Sequence, residues 1–355
     1  MEQTTEQTTG QTTDRKLAAI RKINNIKAIP EADSICAYGV DGWFVVDQIG
    51  KYQVGDTVVY VEPDSWVPTA LAPFLSKGKD PREYEGIKGE RLKTIRLRGQ
   101  YSQGLILPLV PTCDNIESEL FEGLDVTYPL GIVKWDRPLP ACLAGLAKGN
   151  FPSFIRKTDQ ERIQNMPEIL EDTETVWEVS IKLDGSSSTN YFRDDYFGVC
   201  SRNLDLKDSE GNSFWSTVKK NGLATALPKL GRNLAVQGEL MGEGIQRNQE
   251  KLKGQKLFVF DIFDIDAYRD VTPEERLAII DELNVLGATL EIAPILEYTT
   301  LARFNGSMEE ILIYAEGPSL NPDVKREGVV FKSVDGTKSF KVVSNAWLLK
   351  NDARD

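Results

Sequence analysis

The run Thr175-Val-Trp-Glu-Val-Ser-Ile-Lys-Leu-Asp-Gly-Ser-Ser187 alternates in character: Trp177, Val179, Ile181 and Leu183 are apolar, and Glu178, Ser180, Lys182 and Asp184 are polar. Successive side chains of a strand point to opposite faces, so this period of two predicts a half-buried strand ending at the Gly185 turn. Lys182 and Asp184 then share the face opposite the core. A lysine beside a carboxylate at a strand end can serve as a nucleophile once it is held as the free amine. The tetrapeptide Lys-x-Asp-Gly alone arises by chance in roughly one chain in ten of this length, and its ordinary reading is a surface lysine paired with its neighbour.

Four further segments extend the pattern. Leu234-Ala-Val-Gln-Gly-Glu-Leu240 sets Leu234, Val236 and Leu240 on one face and Gln237 and Glu239 on the other. Lys256-Leu-Phe-Val-Phe-Asp-Ile-Phe263 is apolar on both faces, as in an inner strand, with Phe258 and Phe260 on one side. Arg326-Glu-Gly-Val-Val-Phe-Lys332 puts Glu327 and Lys332 around a short buried strand, and Ser339-Phe-Lys-Val-Val-Ser-Asn345 puts Lys341 inside another. Between them, Thr272-Pro-Glu-Glu275 is a capping box with proline at the first helical position. Leu277, Ile280, Leu283 and Leu286 give that helix an apolar stripe, and Gly287 closes it; a second helix starts at Ser307 and ends at Gly317.

Composition bounds the chemistry. The 355 residues suggest about two domains, and a 41% hydrophobic share supports a real core. The chain has no histidine, which excludes Ser-His-Asp and Cys-His catalysis, imidazole metal sites and a histidine base. Acid, base and metal chemistry must therefore run on carboxylates, lysines, arginines and hydroxyls. Cys36, Cys113, Cys142 and Cys200 lie far apart without a C-x-x-C pair and are expected to be reduced thiols. With no apolar run of about 20 residues and no leader-like N-terminus, the expectation is a cytoplasmic protein without a membrane span. The net charge of −12, from 54 acidic and 42 basic residues, weighs against nucleic acid as a partner. Residues 77–98 run the other way, with eight basic side chains against four acidic ones. Their ordinary reading is a solvated loop. The sharper one is a phosphate-binding face on a β-barrel, with Tyr84 and Tyr101 available to stack on bases.

Along the chain, residues 1–13 repeat Gln-Thr-Thr three times and are expected to form a disordered tail. Residues 14–128 read as short strands broken by turns, the pattern of a small barrel. Residues 129–152, with Pro129, Pro138, Pro140 and Pro152, read as a linker, and 153–355 as mixed α+β.

Taken in order, these segments resemble the covalent nucleotidyltransferase superfamily of ATP-dependent ligases and mRNA capping enzymes. Lys182 matches the motif I lysine, Arg202 in Ser201-Arg-Asn203 the motif Ia arginine, and Glu239 the motif III glutamate. Residues 258–261 match the aromatic motif IIIa strand, Glu-Gly-Val-Val at 327–330 motif IV, and Lys341 the motif V lysine. Residues 151–164, Phe-Pro-Ser-Phe-Ile-Arg-Lys-Thr-Asp-Gln-Glu-Arg-Ile-Gln, are similar to the lead into motif I of RNA ligases. DNA ligases and capping enzymes carry an OB-fold after motif V, whereas here 14 residues follow Lys341 and a β-rich module comes first. That order resembles the fifth RNA ligase family: an N-terminal OB-fold barrel, then a nucleotidyltransferase domain of antiparallel sheets with flanking helices.

The resemblance implies an enzyme that takes ATP and Mn2+ or Mg2+ and seals RNA ends, with RNA on the 3′-OH side of a nick, as a monomer. It implies Lys182 as the nucleophile that forms lysyl-AMP, Asp184 and Glu327 as metal holders acting through water, and Lys341 with Lys332 as neutralisers of α-phosphate charge. Glu239 would bind the ribose hydroxyls, and Phe258, with Phe260 as the alternative, would stack on adenine. Arg202 would contact the ribose or the RNA 5′-phosphate, and Lys93, Arg96 and Arg98 would grip the RNA backbone. Ser187 departs from the pattern, standing where many relatives carry Arg or Asn. The competing readings are a DNA ligase or capping guanylyltransferase, and a silent nucleic-acid-binding protein on a ligase scaffold. The last has no need to keep Lys182, Asp184, Glu239, Glu327 and Lys341 together.

Overall fold

A computed structural model describes residues 15–136 and 145–352. The 1–13 tail, Cys142 and the middle of the expected linker lie outside the described residues. The chain divides into two compact units, Met1–Arg137 and Pro138–Asp355. Among the described residues no helix is long and apolar enough to cross a membrane.

In the first unit Thr57–Val61 pairs antiparallel with both Ala18–Lys22 and Leu105–Pro108. Its sequence explains its place. Val59 and Val61 join Ile20, Val67 and Leu107 in one core cluster, while Val58 and Tyr60 join Tyr38, Trp43 and Val45 in another. A strand apolar on both faces thus lies between two hydrophobic clusters. Asn25–Ala28, Ile35–Val40 and Trp43–Gln48 form an antiparallel meander beside it. Ser65–Pro68, Ile87–Arg91 and Arg82–Tyr84 make a further sheet, which Val133–Lys134 extends, so part of the proline-rich 129–152 stretch is ordered strand. Tyr84, expected to be open for base stacking, instead packs at 5.4 Å from Trp66 and 6.5 Å from Trp135. The Arg91 guanidinium covers Trp135 at 3.8 Å. Local sequence showed the tyrosine but not the two tryptophans that fold onto it.

The second unit is built on two sheets. In the larger, Leu234–Gly242 lies between Ser186–Arg193 and Gln255–Asp264. In the four-stranded sheet, Val176–Lys182 lies between Ile295–Thr300 and Gly328–Ser333, with Ser339–Val343 at the edge. The alternation of the opening run is real on one side: Trp177 and Val179 are buried with Phe331 and Phe340. Its other side differs from expectation. Glu178 is only 2% exposed, because the helix Pro273–Val285 and the larger sheet cover it.

That helix starts with the expected capping box: Thr272 Oγ1 accepts from the Glu275 N–H at 3.1 Å, and Glu275 accepts from the Thr272 N–H at 2.8 Å. Its buried face, however, is Arg276, Ile279, Ile280 and Leu283, with an arginine where an apolar stripe was expected. Arg276 grips both carboxylate oxygens of Glu178, at 2.7 and 2.8 Å, and donates to the Phe260 carbonyl at 3.1 Å. The Tyr298 hydroxyl donates to Glu178 at 2.9 Å. Beside them Lys332 pairs with Asp261 and reaches the same Phe260 carbonyl at 3.4 Å.

The Phe260 carbonyl is available for a structural reason. Gln237 opposes Asp261 and Gly238 opposes Val259, which leaves Phe260 as the extra residue of a β-bulge. Two cations take the acceptor that the ladder gives up. A buried ion pair broken from one side leaves an uncompensated charge, so Arg276→Ala should cost about 3–5 kcal/mol of unfolding free energy in urea titrations. The double change Glu178→Leu with Arg276→Leu, which removes both charges, should cost much less.

Candidate active site

The strand Val176–Lys182 ends on the lysine itself. Lys182 pairs in register with Gly328, which sets Glu327 one residue beyond the strand end. Lys182 Nζ lies 2.7 Å from Glu327 Oε2. The following turn is tight. Gly185 donates its N–H to Glu239 Oε1 at 3.0 Å, and a Cβ on Gly185 would sit 2.5 Å from the Leu240 carbonyl, so only glycine fits. The loop joining the two central strands of the larger sheet closes over this turn. Gln249 donates to Asp184 Oδ2 at 3.1 Å, and Gln246 to the Gly185 carbonyl at 3.2 Å.

The fold thus brings Lys182, Asp184, Glu239 and Glu327 to one place, and Ser187 pairs directly opposite Glu239. Lys341 stands in the strand next to Gly328–Ser333, opposite Val330, and its N–H donates to the Glu161 carbonyl at 2.8 Å. The end of the 151–164 segment therefore lies beside the Ser339–Val343 strand, with the buried Arg162 bridged to Lys341, while Phe151, Phe154 and Ile155 pack on the larger sheet. Phe258 lies inside an apolar cluster with Ile181, Leu183, Met241 and Ala293, while the bulged Phe260 is partly exposed at its margin. Arg202 is exposed and pairs with Asp159 at 2.8 Å.

Charge explains the resting state of Lys182. Burial acts to lower the Lys182 pKa, but Glu327, Glu239 and Asp184 together outweigh it and hold the ammonium form above its ordinary value. Burial likewise pushes the Glu239 carboxyl up to about 8, with Glu327 and Asp184 adding to the rise and Lys182 and the Gly185 N–H opposing it. Among the described residues no cluster of three or more Asp, Glu, Cys or His side chains is close enough to ligate an ion by itself. The oxygens of Asp184 and Glu327 are the hard donors that magnesium and manganese prefer. The residues thus fit an ion that completes its shell with water and nucleotide oxygens.

Sequence reasoning missed Gln246, Gln249, Arg162 and Arg276. The glutamines carry no signal beyond a polar loop. Arg276 was legible as a charge on the inner side of an amphipathic helix, and Arg162 lay within a segment noted only for its likeness to RNA ligases.

A lysine at a strand end among carboxylates, on facing antiparallel sheets, defines the nucleotidyltransferase class of fold. The RNA ligase family model matches residues 175–343, and an OB-fold domain model matches residues 17–109. An apo aspartate-to-alanine variant of the Naegleria gruberi RNA ligase superposes with a TM-score of 0.88 at 47% identity, over 96% of this chain and 99% of its own. The same ligase with pyrophosphate gives 0.88 at 47% identity, over 96% and 100%. A lysine-to-alanine variant with ATP and Mn gives 0.87 at 47% identity, over 94% and 99%. No curated protein sequence matches the chain significantly. The chain belongs to the RNA ligase family, as an ATP-dependent RNA ligase built from an OB-fold domain and a nucleotidyltransferase domain.

Because the Glu239 carboxyl titrates near 8 when folded and near 4.5 otherwise, the folded state holds the extra proton between those values. Its contribution to stability, complete below 4.5, is lost as the pH rises toward 8. Glu239→Gln should therefore flatten the fall of Tm between pH 5 and pH 8, measured by calorimetry in the absence of nucleotide.

Proposed function

We propose that this ligase seals 5′-phosphate and 3′-hydroxyl ends at nicks whose 3′-OH strand is RNA, through lysyl-AMP on Lys182. The observation that carries the reading is the placement of Lys182 Nζ at 2.7 Å from Glu327, beside Glu239 and Asp184, at the end of a buried strand. In the first step Lys182 Nζ attacks the α-phosphorus of ATP, a P–N bond forms and pyrophosphate leaves. AMP then passes to the RNA 5′-phosphate, and the 3′-hydroxyl displaces it to form the phosphodiester.

The chain's residues divide this work. Lys182 donates a proton toward Glu327 at rest, and that proton must leave before the lone pair can attack. Asp184 and Glu327 would hold a divalent cation through water, and such an ion, when bound, supplies positive charge that favours the free amine. Lys341 neutralises the α-phosphate as charge grows on it. Glu239 accepts hydrogen bonds from the ribose hydroxyls. Adenine would meet the apolar cluster of Ile181 and Leu183, with Phe258 as its buried floor and Phe260 as the more accessible ring. Arg202 would meet the RNA 5′-phosphate, exchanging Asp159 for it. Lys332, already paired with Asp261, is better suited to holding the two sheets in place than to touching phosphate. Lys93, Arg96 and Arg98 supply backbone contacts, and the reading takes the enzyme as a cytoplasmic monomer.

Incubation with α-labelled ATP and manganese or magnesium should give an acid-stable adduct in the wild type and none in Lys182→Ala. GTP should not label, which separates ligation from capping. Nicked duplexes with RNA at the 3′-OH side should seal faster than all-DNA ones; the reverse order would point to a DNA ligase. Arg96→Ala combined with Arg98→Ala should weaken RNA binding and reduce the slope of log K against log salt by about 1.5 to 2.

A further inference from the structure

The loop between the strands Leu234–Gly242 and Gln255–Asp264 is anchored at several points. The Glu243 N–H donates to the Gly254 carbonyl at 3.0 Å and closes its base. Ile245 is buried with Leu240 and Leu257, and Leu252 packs on the cluster of Ile181, Leu183 and Phe258. Glu250 accepts from the Asn321 N–H at 2.7 Å. Between these anchors Gln246, Asn248 and Lys251 have φ of 45°, 43° and 54°, in the left-handed region that residues other than glycine rarely adopt. Asn248 offsets its own share by donating to the Leu252 carbonyl at 2.9 Å and accepting from the Leu252 N–H at 3.0 Å. Backbone of this kind persists where its surroundings over-determine it, and it gathers at functional sites.

What the shape delivers is two amides on the turn after Lys182. Gln246 donates to the Gly185 carbonyl and Gln249 to Asp184 Oδ2. Gln249 has a second partner: Lys350 Nζ donates to its Oε1 at 3.4 Å. An ammonium only donates and an ionised carboxylate only accepts, whereas an amide has one end of each kind. Between Lys350 and Asp184 the amide therefore satisfies both neighbours in one orientation alone. Turned over, it would set its oxygen against the carboxylate and its NH2 against the ammonium. Lys350 belongs to the helix Asn345–Asp352, whose first turn Ser344 caps by accepting from the Trp347 N–H at 3.1 Å. The Ser344 N–H in turn donates to the Glu327 carbonyl at 2.8 Å. One short helix thus links the backbone of Glu327 to the amide that holds Asp184.

We propose that Gln249, oriented by Lys350, is a positioning residue that sets the direction in which Asp184 presents its carboxylate to a hydrated divalent cation. Asp184 stands beyond the end of the strand, where its carboxylate can turn about two bonds, and a contact made through water depends on its direction. Hydrogen bonds that orient metal-holding groups are commonly worth about tenfold or more in metal affinity. The proposal rests on the reading that Asp184 and Glu327 hold such an ion, and it extends the apparatus of that site to the loop and the C-terminal helix.

The test uses the full chain with Lys182→Ala, which cannot form the adduct, in the presence of AMP, and follows free Mn2+ by its EPR signal. Gln249→Met, close in length but without the amide, should raise the Mn2+ dissociation constant about tenfold. Asp184→Ala should raise it at least as far. Added to Asp184→Ala, Gln249→Met should change it by less than about twofold, because the amide has lost the group through which it acts. A loop residue with a merely structural role would give the same factor in both backgrounds. That result, or no shift in either, overturns the proposal. If Gln249→Met lowers the melting temperature, Lys350→Met, a change on an exposed side chain, decides. It should weaken Mn2+ binding about threefold alone and add nothing to Asp184→Ala; unchanged binding, or an equal loss in both backgrounds, overturns the proposal. Asp184→Ala that binds Mn2+ as tightly as Lys182→Ala alone would instead overturn the underlying reading, and the proposal with it.

Discussion

Two buried ion pairs, Arg276 with Glu178 and Lys332 with Asp261, together with the Arg276 bond to the Phe260 carbonyl, tie the sheet that carries Lys182 to the helix Pro273–Val285 and to the sheet that carries Glu239 and Phe258. Glu178 and Lys332 face each other in register on adjacent strands, so the two pairs meet as one network around the Phe260 carbonyl. Such a network is poor value as stability alone, because desolvating four charges offsets much of their attraction. What it supplies is position. Glu178 is four residues before Lys182 on the same strand, and Phe260 is two after Phe258, so fixing these points holds Lys182 and Phe258 in place relative to one another.

The bulge at Phe260 makes the arrangement possible. An unbroken ladder would have spent the Phe260 carbonyl on the neighbouring strand, leaving Arg276 without its third contact. The extra residue releases an acceptor toward the cations and moves an aromatic ring to the edge of the apolar cluster. One local irregularity thus shapes both the ion-pair network and the apolar cluster beside Lys182, in keeping with the frequency of bulges beside active sites.

Much of the candidate site's framework was legible because it sits on strands whose alternation survives folding. Lys182, Glu239 and Lys341 lie on strands, as periodicity predicts, Glu327 immediately precedes one, and the capping box at Thr272 formed with both of its hydrogen bonds. What was not legible is long-range. Glu178 reads as solvent-facing until a helix 98 residues away covers it with Arg276. Tyr84 reads as an open ring until Trp66 and Trp135 close on it. In each case composition and local pattern give the residue, and the partner comes from a distant part of the chain.

The carboxylates around Lys182 have a consequence for the protein in a crowded cell. Acyl phosphates, aldehydes and cyanate react with the neutral amine, and a raised pKa leaves less of it than an ordinary lysine has, so they should modify this position more slowly. Neighbours that favour the ammonium form thereby lower the reactivity of the lysine toward any electrophile. The same three carboxyl groups thus set the reactivity of this amine before any nucleic acid is bound.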